Sequence, residues 1–86
     1  MSYRIIISKS VQKQLDTLPG DMSDRIAGKL KQLAEEPRPS GVVKLKGADN
    51  EYRIRAGDYR IRYEIDDQDK TIRLLQCKHR RDVYRQ

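Results

Sequence analysis

EYRIRAGDYRIR, residues 51–62, is the stretch that decides the fold of this chain. Apolar side chains alternate with arginines on both sides of a Gly-Asp pair, which is typical of an antiparallel hairpin with a two-residue turn. Gly57 supplies the positive φ that such a turn needs. Because side chains alternate with period two, one side of the hairpin faces a core. With Gly57 and Asp58 in the turn, the apolar pairs on that side are Ala56 with Tyr59, Ile54 with Ile61, and Tyr52 with Tyr63.

The other side of this hairpin carries four arginines, and we call it the arginine face. The same register sets Arg55 opposite Arg60 and Arg53 opposite Arg62. Like charges directly across a ladder destabilise it, so this face favours a bound anion. The pattern therefore predicts a phosphate-binding surface.

A solvated surface is the alternative interpretation of the arginine face. Glu51 and Glu64 can each reach the Arg53–Arg62 pair diagonally, and alternating charged faces are often simply hydrated. The other arginine pair has Asp58, in the turn, as its nearest acid. The acids can thus neutralise the Arg53–Arg62 pair better than the Arg55–Arg60 pair, which favours the phosphate-binding interpretation.

Length and composition limit the classes of protein to consider. The 86 residues suffice for a single domain, 1–86, and the 36% hydrophobic and 37% charged residues are patterned in a way that argues against disorder. A net charge of +6 favours a polyanionic partner, nucleic acid before membrane. No stretch approaches the ~18 consecutive apolar residues of a membrane span.

A single cysteine and a single histidine exclude several kinds of site. Cys77 alone cannot form an internal disulfide, so the fold does not depend on an oxidising compartment. One Cys and one His do not make a zinc-finger type of site, and we predict neither a metal nor another cofactor. The first residues lack a secretory apolar segment, which with the other features predicts a cytoplasmic protein.

A strand and a first helix are predicted near the N-terminus. Residues 3–7 are rich in isoleucine, and we expect the three isoleucines at 5–7 to be buried on both faces of a sheet. Ser8 or Ser10 is placed to cap the helix that follows. The apolar stripe of this helix has helical spacing, at Val11, Leu15 and Leu18.

A second helix follows directly. Pro19-Gly20 ends the first helix, and Asp21 is the predicted N-cap of the second. This second helix ends near Glu36, because Pro37 disfavours helical geometry in the residue before it. Its apolar face consists of Met22, Ile26, Leu30 and Leu33. The two helices together predict a helical hairpin that packs on a sheet.

The order strand, helix, helix and then three strands predicts a small α+β domain, β-α-α-β-β-β. A loop at 37–41 is followed by residues 42–46, which run into the central hairpin, and a polar turn at 66–69 leads into a last strand at 71–76. The helical hairpin packs on one face of a mainly antiparallel sheet, and a short basic C-terminal tail ends the chain. The sheet's other face is open and carries the arginines, so function is predicted there.

The turn at 66–69 also predicts a register for the last strand. A four-residue turn places Arg73 beside Arg62, so that five arginines from three strands share one surface. It keeps the apolar residues on the core side. The predicted pairs are Ile65 with Lys70, Tyr63 with Ile72, and Ile61 with Leu74.

Most familiar catalytic constellations are poorly supported. The acids lie in turns and on helix surfaces, without an apolar pocket to separate the pKa values of a carboxylate pair. Cys77 has only His79 near it as a triad partner, and the chain has no phosphate loop or Gly-rich fingerprint. What remains is a set of fixed positive charges, one histidine and one tyrosine in the tail.

RNA cleavage is the reaction that this set can support. RNA carries its own nucleophile, the 2′-hydroxyl beside each phosphate, so a protein needs to orient it, stabilise charge and move protons. Arginines bind phosphate in bidentate fashion, but their pKa above ~12 makes them poor bases. Proton transfer falls to Tyr84 or His79. A tyrosine pKa starts near ~10, and neighbouring arginines lower it by favouring the phenolate.

Four segments resemble the RelE family of bacterial toxins: Lys44-Leu45-Lys46-Gly47, Tyr52-Arg53-Ile54-Arg55, Asp58-Tyr59-Arg60-Ile61-Arg62-Tyr63 and His79-Arg80-Arg81-Asp82-Val83-Tyr84. The resemblance covers nearly the whole chain and is most specific in the second half. It implies a ribosome-dependent mRNA endonuclease that enters the A site of the 70S ribosome, beside ribosomal RNA. Such an enzyme cuts the codon there without a metal and is neutralised by a RelB-like antitoxin protein.

The resemblance also implies roles for individual residues. The implied catalytic residues are Arg53, Arg55, Arg60, Arg80 and Tyr84. Arg53 and Arg55 occupy positions that are lysines in the best-known relatives. Because an arginine essentially cannot release a proton, both are assigned to charge stabilisation. Tyr84 is the favoured general base, and Arg80 stabilises the phosphate or the leaving oxygen.

The remaining basic residues are predicted to bind RNA: Lys44, Lys46, Arg62, Arg73, Lys78, His79 and Arg81. His79 is also a second candidate for proton transfer, or else a solvated histidine of the tail. Tyr84 can alternatively be a hydrophobic peg that docks the tail, and stacking on a codon base is compatible with either of its roles.

Two other functions compete with RNA cleavage. ParE-like proteins of the same superfamily share the fold but poison DNA gyrase by binding, without nuclease activity. A module that binds RNA without chemistry is the third possibility. The tail discriminates between them, because a gyrase binder needs no tyrosine beside the arginines.

Overall fold

The computed structural model describes residues 2–47 and 49–83, which form five strands and three helices. In chain order these are β1 (Arg4–Ile7), α1 (Lys9–Asp16), α2 (Gly20–Glu35), β2 (Val43–Lys44), β3 (Glu51–Ala56), β4 (Tyr59–Asp66), β5 (Thr71–His79) and α3 (Arg80–Val83). The predicted α+β class, with a helical hairpin on a mainly antiparallel sheet, is confirmed. The structure adds a separate short edge strand, β2, and the helical turn α3.

The sheet order explains why one face is covered and the other open. The order is β1-β5-β4-β3-β2, with β1 parallel to β5 and every other neighbour antiparallel. β1 and β2 are therefore the two edges, and the helical hairpin between them in sequence crosses one face of the sheet. It buries Val11, Ile26 and Leu33 against the core-facing residues of β3, β4 and β5. The arginine face is the side that this crossover leaves uncovered.

The isoleucines at positions 5–7 are half-buried, so the prediction of burial on both faces is wrong. The reason is the position of β1 at the edge of the sheet, where it pairs with β5 alone. A strand with a neighbour on both sides is shielded along its whole length, whereas an edge strand exposes one flank.

Ser8 is the predicted cap that the structure uses for α1. Its Oγ accepts a hydrogen bond from the Val11 N–H at 3.3 Å. The end of α2 also follows the sequence signal, because the helix stops at Glu35 with Glu36 as its C-cap, directly before Pro37.

The prediction that Asp21 caps α2 is wrong. The helix already begins at Gly20, with Pro19 as the N-cap residue and no side-chain cap bond. Proline has a fixed φ, here −57°, and its carbonyl accepts the Ser23 N–H at 2.8 Å to start the helix. Asp21 lies in the first turn instead, where a carboxylate favours the positive end of the helix dipole.

The β3–β4 hairpin has the predicted register. Arg55 lies opposite Arg60 and Arg53 opposite Arg62, and the apolar pairs face the core. Gly57 has a φ of +59°, as the turn requires. A Cβ at this position would come within 2.9 Å of Met22 Cε, so the turn also packs directly against α2.

The predicted register of β4 and β5 is wrong. Asp66 pairs with Thr71 and Ile65 with Ile72, two positions away from the expected alignment. The turn is closed by the Asp66 carboxylate, which accepts the Asp69 N–H at 3.0 Å, and by Lys70 at a φ of +53°. Between the turn and Tyr63, a shift by two keeps the apolar residues on the core side, so the hydrophobic pattern cannot distinguish the two registers there. Beyond Tyr63 the bulge increases the difference to three, and Ile61 pairs with Cys77 instead of Leu74.

A polar cluster joins the N-terminus, the loop at 37–41 and the turn between β4 and β5. Arg38 Nη2 lies 2.9 Å from Asp67 Oδ2, and the Tyr3 hydroxyl donates to Asp67 Oδ1 at 2.6 Å. Arg38 Nε also donates to the Tyr52 hydroxyl at 3.1 Å. The bonds from Arg38 and Tyr3 lower the pKa of Asp67 to about 2.

Replacing Asp67 by asparagine is expected to weaken the acid dependence of stability. The folded-state pKa is depressed, so the stabilisation is present above the unfolded-state value of ~3.9 and disappears as the pH falls through about 2. Because the Arg38 and Asp67 side chains are 42% and 55% exposed, we expect a Tm difference of at most about 5 °C at pH 7. Thermal melts from pH 7 to pH 2 measure it, with Asp69→Asn as the control from the same turn. A difference that persists undiminished at pH 2 would contradict this interpretation.

Candidate functional site

A β-bulge completes the arginine face with a lysine. The pairing of β4 and β5 shifts between Arg62 and Tyr63, so that Arg62 faces Gln76 and Arg60 faces Lys78. Arg55, Arg60 and Lys78 therefore form one row of three cations across β3, β4 and β5. Gln76 lies opposite Arg62 on this face, at the place that the sequence register gave to Arg73.

Three of the predicted catalytic arginines line one surface cavity. The cavity has a volume of about 230 Å³ and is lined by Arg53, Arg55 and Arg60 together with Gly41 and Val43. We call it the arginine cavity. Val43 pairs with Arg53 across β2 and β3, and its apolar side chain is 45% exposed. The cavity is thus lined by three cations and one exposed apolar side chain. The contribution of Val43 was not predicted from the sequence. The signal available for it was the strand alternation that puts Val43, rather than Lys44, on this side.

The arginines differ in how far acids neutralise them. Arg62 Nε lies 3.4 Å from Glu51 Oε1, the diagonal contact that the sequence suggested. Arg53 and Arg55 make no ion pair with any residue in the described ranges. Their positive charge therefore stays available to a ligand, whereas that of Arg62 is partly satisfied within the protein.

Arg73 does not join the arginine cavity. It pairs with Glu64 in the sheet, and its Nη1 lies 3.5 Å from Glu64 Oε1. The prediction that it lies beside Arg62 is therefore wrong, because the register is shifted by two. Glu64, which the sequence offered as a partner for Arg53 or Arg62, is used by Arg73 instead.

The two lysines of the 42–46 segment do not line the arginine cavity. Lys44 lies directly opposite Tyr52, whose side chain is buried on the helix-covered side. Residues directly opposite in a ladder point to the same side, so Lys44 points away from the arginines. Lys46 lies in the exposed turn after β2.

The tail starts beside the hairpin turn. The Arg80 N–H donates to the Asp58 carbonyl at 2.7 Å, which fixes the beginning of α3 next to the Gly57-Asp58 turn. Arg80 and Arg81 are both exposed there. The row that ends in Lys78 leads directly to this point. Tyr84, the predicted general base, lies outside the described residues.

His79 is held by two contacts. Its ring meets that of Tyr59 edge to face, with centroids 5.2 Å apart. Its Nδ1 accepts the Arg81 N–H at 3.1 Å. A neutral imidazole with an accepting Nδ1 carries its proton on Nε2, so no free nitrogen lone pair remains to take a proton. This geometry favours His79 as a hydrogen-bond donor over His79 as a general base.

Cys77 is part of the core rather than of a reactive site. It is 4% exposed, and burial raises the pKa of its thiol to about 11. Its backbone N–H donates to Gln14 Oε1 at 2.8 Å, which ties β5 to α1. The bulge after Leu74 is what turns Cys77 inward and Lys78 outward.

Comparison with known proteins identifies the family. A sequence profile of the family described as ParE toxin of type II toxin-antitoxin system, parDE, matches residues 5–84. This chain belongs to the RelE/ParE family of type II toxins. The RelE-type toxin is 33% identical to Toxin RelE3 of Methanocaldococcus jannaschii, with 94% of each chain covered. It is 28% identical to Toxin RelG of Mycobacterium tuberculosis over 99% of each chain.

Solved structures give the same result. The archaeal RelE-RelB complex from Pyrococcus horikoshii OT3 is similar to the RelE-type toxin at 39% identity and a TM-score of 0.84, covering 93% of this chain and 97% of that one. The RelB-RelE antitoxin-toxin complex from Methanococcus jannaschii follows at 29% identity and a TM-score of 0.76, covering 92% and 94%. The predicted resemblance to RelE toxins is confirmed. No helix in the described ranges combines the length and the apolar character required to cross a membrane.

Proposed function

We propose that this RelE-type toxin is a ribosome-dependent endonuclease that cuts the mRNA codon in the A site of the 70S ribosome, without a metal. The observation that carries the proposal is the cavity with Arg53, Arg55 and Arg60 on its floor. Like charges held together in a fixed geometry are costly unless an anion joins them. A phosphodiester group fits this requirement, and the exposed Val43 beside it offers apolar contact to an adjacent ribose or base.

The proposed chemistry uses the 2′-hydroxyl of the codon as the nucleophile. Tyr84, as phenolate, takes the proton of this hydroxyl while the 2′-oxygen forms a bond to phosphorus and the bond to the 5′-oxygen breaks. The leaving 5′-oxygen takes a proton from water, so the products are a 2′,3′-cyclic phosphate and a free 5′-hydroxyl. The three arginines of the cavity stabilise the negative charge that develops on the phosphate oxygens. Arg80 stabilises charge on the phosphate or on the leaving oxygen.

The need for the ribosome follows from what the site lacks. It offers many cations, its candidates for proton transfer are Tyr84 and His79, and the Nδ1 of His79 is occupied by a backbone N–H. An open, shallow face also does little to hold a flexible RNA in the in-line geometry that the reaction needs. We infer that the ribosome supplies this orientation.

A RelB-like antitoxin is the second partner that we propose. The two RelE relatives with solved structures described above were crystallised in complexes with RelB. A net charge of +6 suits an acidic, partly disordered segment that wraps the toxin and covers its cations. From these two proposed partners we infer a cytoplasmic location.

Cleavage of a translated mRNA is the direct test. Purified toxin is expected to cut mRNA on programmed 70S ribosomes, mapped by primer extension, and to leave the same naked RNA almost intact. Addition of the antitoxin encoded beside the toxin gene should stop the cleavage. Efficient metal-dependent cutting of the naked RNA would contradict the proposal, as would normal growth of cells in which the toxin is induced alone.

Poisoning of DNA gyrase is the alternative function. The observation that favours it is the family profile, which is described by its ParE toxins. A gyrase poison would inhibit supercoiling of plasmid DNA and leave mRNA on the ribosome uncut. The two assays, run on the same toxin preparation, therefore separate the two functions.

A further inference from the structure

A second basic groove, separate from the arginine cavity, lies between α2 and the turn of the β3–β4 hairpin. It has a volume of about 330 Å³ and is lined by Arg25, Gly28, Lys29 and Gln32 of α2 and by residues 55–57 of the hairpin. We call it the α2 groove. It was not among the predicted binding sites, because the spacing of Arg25 and Lys29 is typical of a solvated helix surface.

The cations of the α2 groove are not neutralised within the described part of the chain. Arg25, Lys29 and Arg55 make no ion pair with a described residue, and no acidic side chain from the described ranges lines the groove. Arg25 and Lys29 lie four residues apart, so both point to the same side of the helix. Like charges at this spacing destabilise an isolated helix slightly, which an anion in the groove would reverse.

Two glycines line the groove, one open to solvent and one covered by Arg25. A Cβ built on Gly28 meets nothing within 4 Å, so this part of α2 presents a free surface. A Cβ built on Gly57 would come within 3.1 Å of Arg25 Nη1, which shows that the Arg25 guanidinium lies directly over the hairpin turn. Arg25 is therefore held next to the end of the sheet at which the Arg55–Arg60–Lys78 row lies.

Arg55 connects the two basic sites. It lines the arginine cavity together with Arg53 and Arg60, and it lines the α2 groove together with Arg25 and Lys29. A polyanion bound in the cavity can thus continue around the end of the hairpin without leaving positively charged surface. A single phosphate ion would need only one of the two sites, whereas a chain of phosphates fits both.

We propose that the α2 groove binds the phosphodiester backbone of RNA next to the cleaved codon. The choice of RNA as the ligand rests on the proposed function, whereas the groove and its cations are features of the structure. Arg25 and Lys29 hold phosphates electrostatically, and they are binding residues rather than catalytic ones. The RNA is either the mRNA beside its codon or a segment of ribosomal RNA that faces the toxin, and both present the same phosphates.

The test is the double variant Arg25→Gln/Lys29→Gln, compared with Lys13→Gln/Lys31→Gln. The control variant removes the same charge from exposed positions on α1 and α2 that lie outside the groove. In single-turnover cleavage on programmed ribosomes, the groove variant should need about tenfold more toxin for half-maximal rate. Its maximal rate should stay within about twofold of wild type, because the cavity is intact. The slope of log affinity against log salt concentration should fall by ~0.7 for each phosphate that the variant no longer binds.

Binding to a short uncleaved single-stranded RNA, followed by fluorescence anisotropy, forms the second arm. Weaker binding in both arms assigns the groove to the mRNA, and weaker binding on ribosomes alone assigns it to ribosomal RNA. If the wild-type toxin cuts no RNA at all, the proposed function fails, while the anisotropy arm still measures the groove. Equal half-maximal concentrations and salt slopes for the two double variants would overturn the inference. So would unaltered RNA binding with a weakened antitoxin complex, which would assign the groove to an acidic protein instead.

Discussion

Tyr84→Phe is expected to lower single-turnover cleavage on programmed ribosomes by about 10²–10⁴-fold, the usual scale of positioned acid–base catalysis. The substitution removes the hydroxyl and keeps the ring, so ribosome binding and any stacking on a codon base should survive. Measurement of cleavage at saturating toxin separates the two effects, because a defect in binding alone would disappear there. A variant that cuts at the wild-type rate would leave Tyr84 with a packing or stacking role.

His79→Gln is the matched comparison for Tyr84→Phe. Glutamine can donate a hydrogen bond from its amide but cannot transfer a proton. Because Nδ1 of His79 accepts the Arg81 N–H, we expect this variant to retain far more activity than Tyr84→Phe. The imidazole ring also packs against Tyr59 and accepts from the Arg81 backbone, so its removal should lower the Tm modestly.

The pH dependence of the wild-type rate provides an independent check on the base. A tyrosine base predicts a rate that rises with pH to a midpoint well above ~6.5, since an unperturbed phenol titrates near ~10. A histidine base predicts a midpoint near ~6.5. A midpoint near the histidine value, together with the larger decrease in rate for His79→Gln, would transfer the role of base to His79.

Arg55→Ala and Arg60→Ala are each expected to lower single-turnover cleavage by about 10²–10³-fold, the decrease seen when one transition-state donor is removed. The two residues lie opposite each other in the hairpin and line the same cavity. Arg62→Ala is the matched control, because it removes an arginine of the same face that already contacts Glu51 at 3.4 Å. We expect its effect to be smaller. The sequence grouped Arg53 with Arg62, but the cavity groups it with Arg55, so Arg53→Ala should resemble Arg55→Ala.

Melting temperatures of the same variants show whether misfolding, rather than the loss of a cation, causes a decrease in cleavage. Removal of one arginine from a like-charge pair relieves repulsion, so the Tm of Arg55→Ala should equal or slightly exceed that of wild type. If Arg55→Ala and Arg60→Ala cut normally and Arg62→Ala does not, the catalytic surface is not the cavity. The cavity residues would then serve binding or solvation alone.

The central hairpin was determined by its sequence alone. The Gly-Asp turn fixes which residues face each other, and strict alternation then fixes which side is buried, so local chemistry and core burial agree. The pairs Arg55–Arg60 and Arg53–Arg62 followed directly from this agreement. The helix ends at Ser8 and before Pro37 were equally local, because a capping hydroxyl and a proline act within a few residues.

Tertiary structure decided which basic residues lie beside the arginines of the cavity. A register shift of two leaves the apolar pattern unchanged, so the sequence could not tell whether Arg73 faces Arg62 or Glu64. The choice was made by a turn with Lys70 at positive φ, which is uncommon for a side chain of this kind. The bulge in β5 then turned Lys78 toward the arginines.

The α2 groove and the covered face of the sheet also depend on contacts that are distant in sequence. β1 and β2 occupy opposite edges, so the helices between them must cross one face, and this brings Arg25 next to Gly57. Periodicity in α2 indicates which residues face the core, but not which strand end the solvated side meets. Local signals therefore determined the central hairpin and the helix boundaries at Ser8 and before Pro37, whereas the packing of the elements decided which cations share a site.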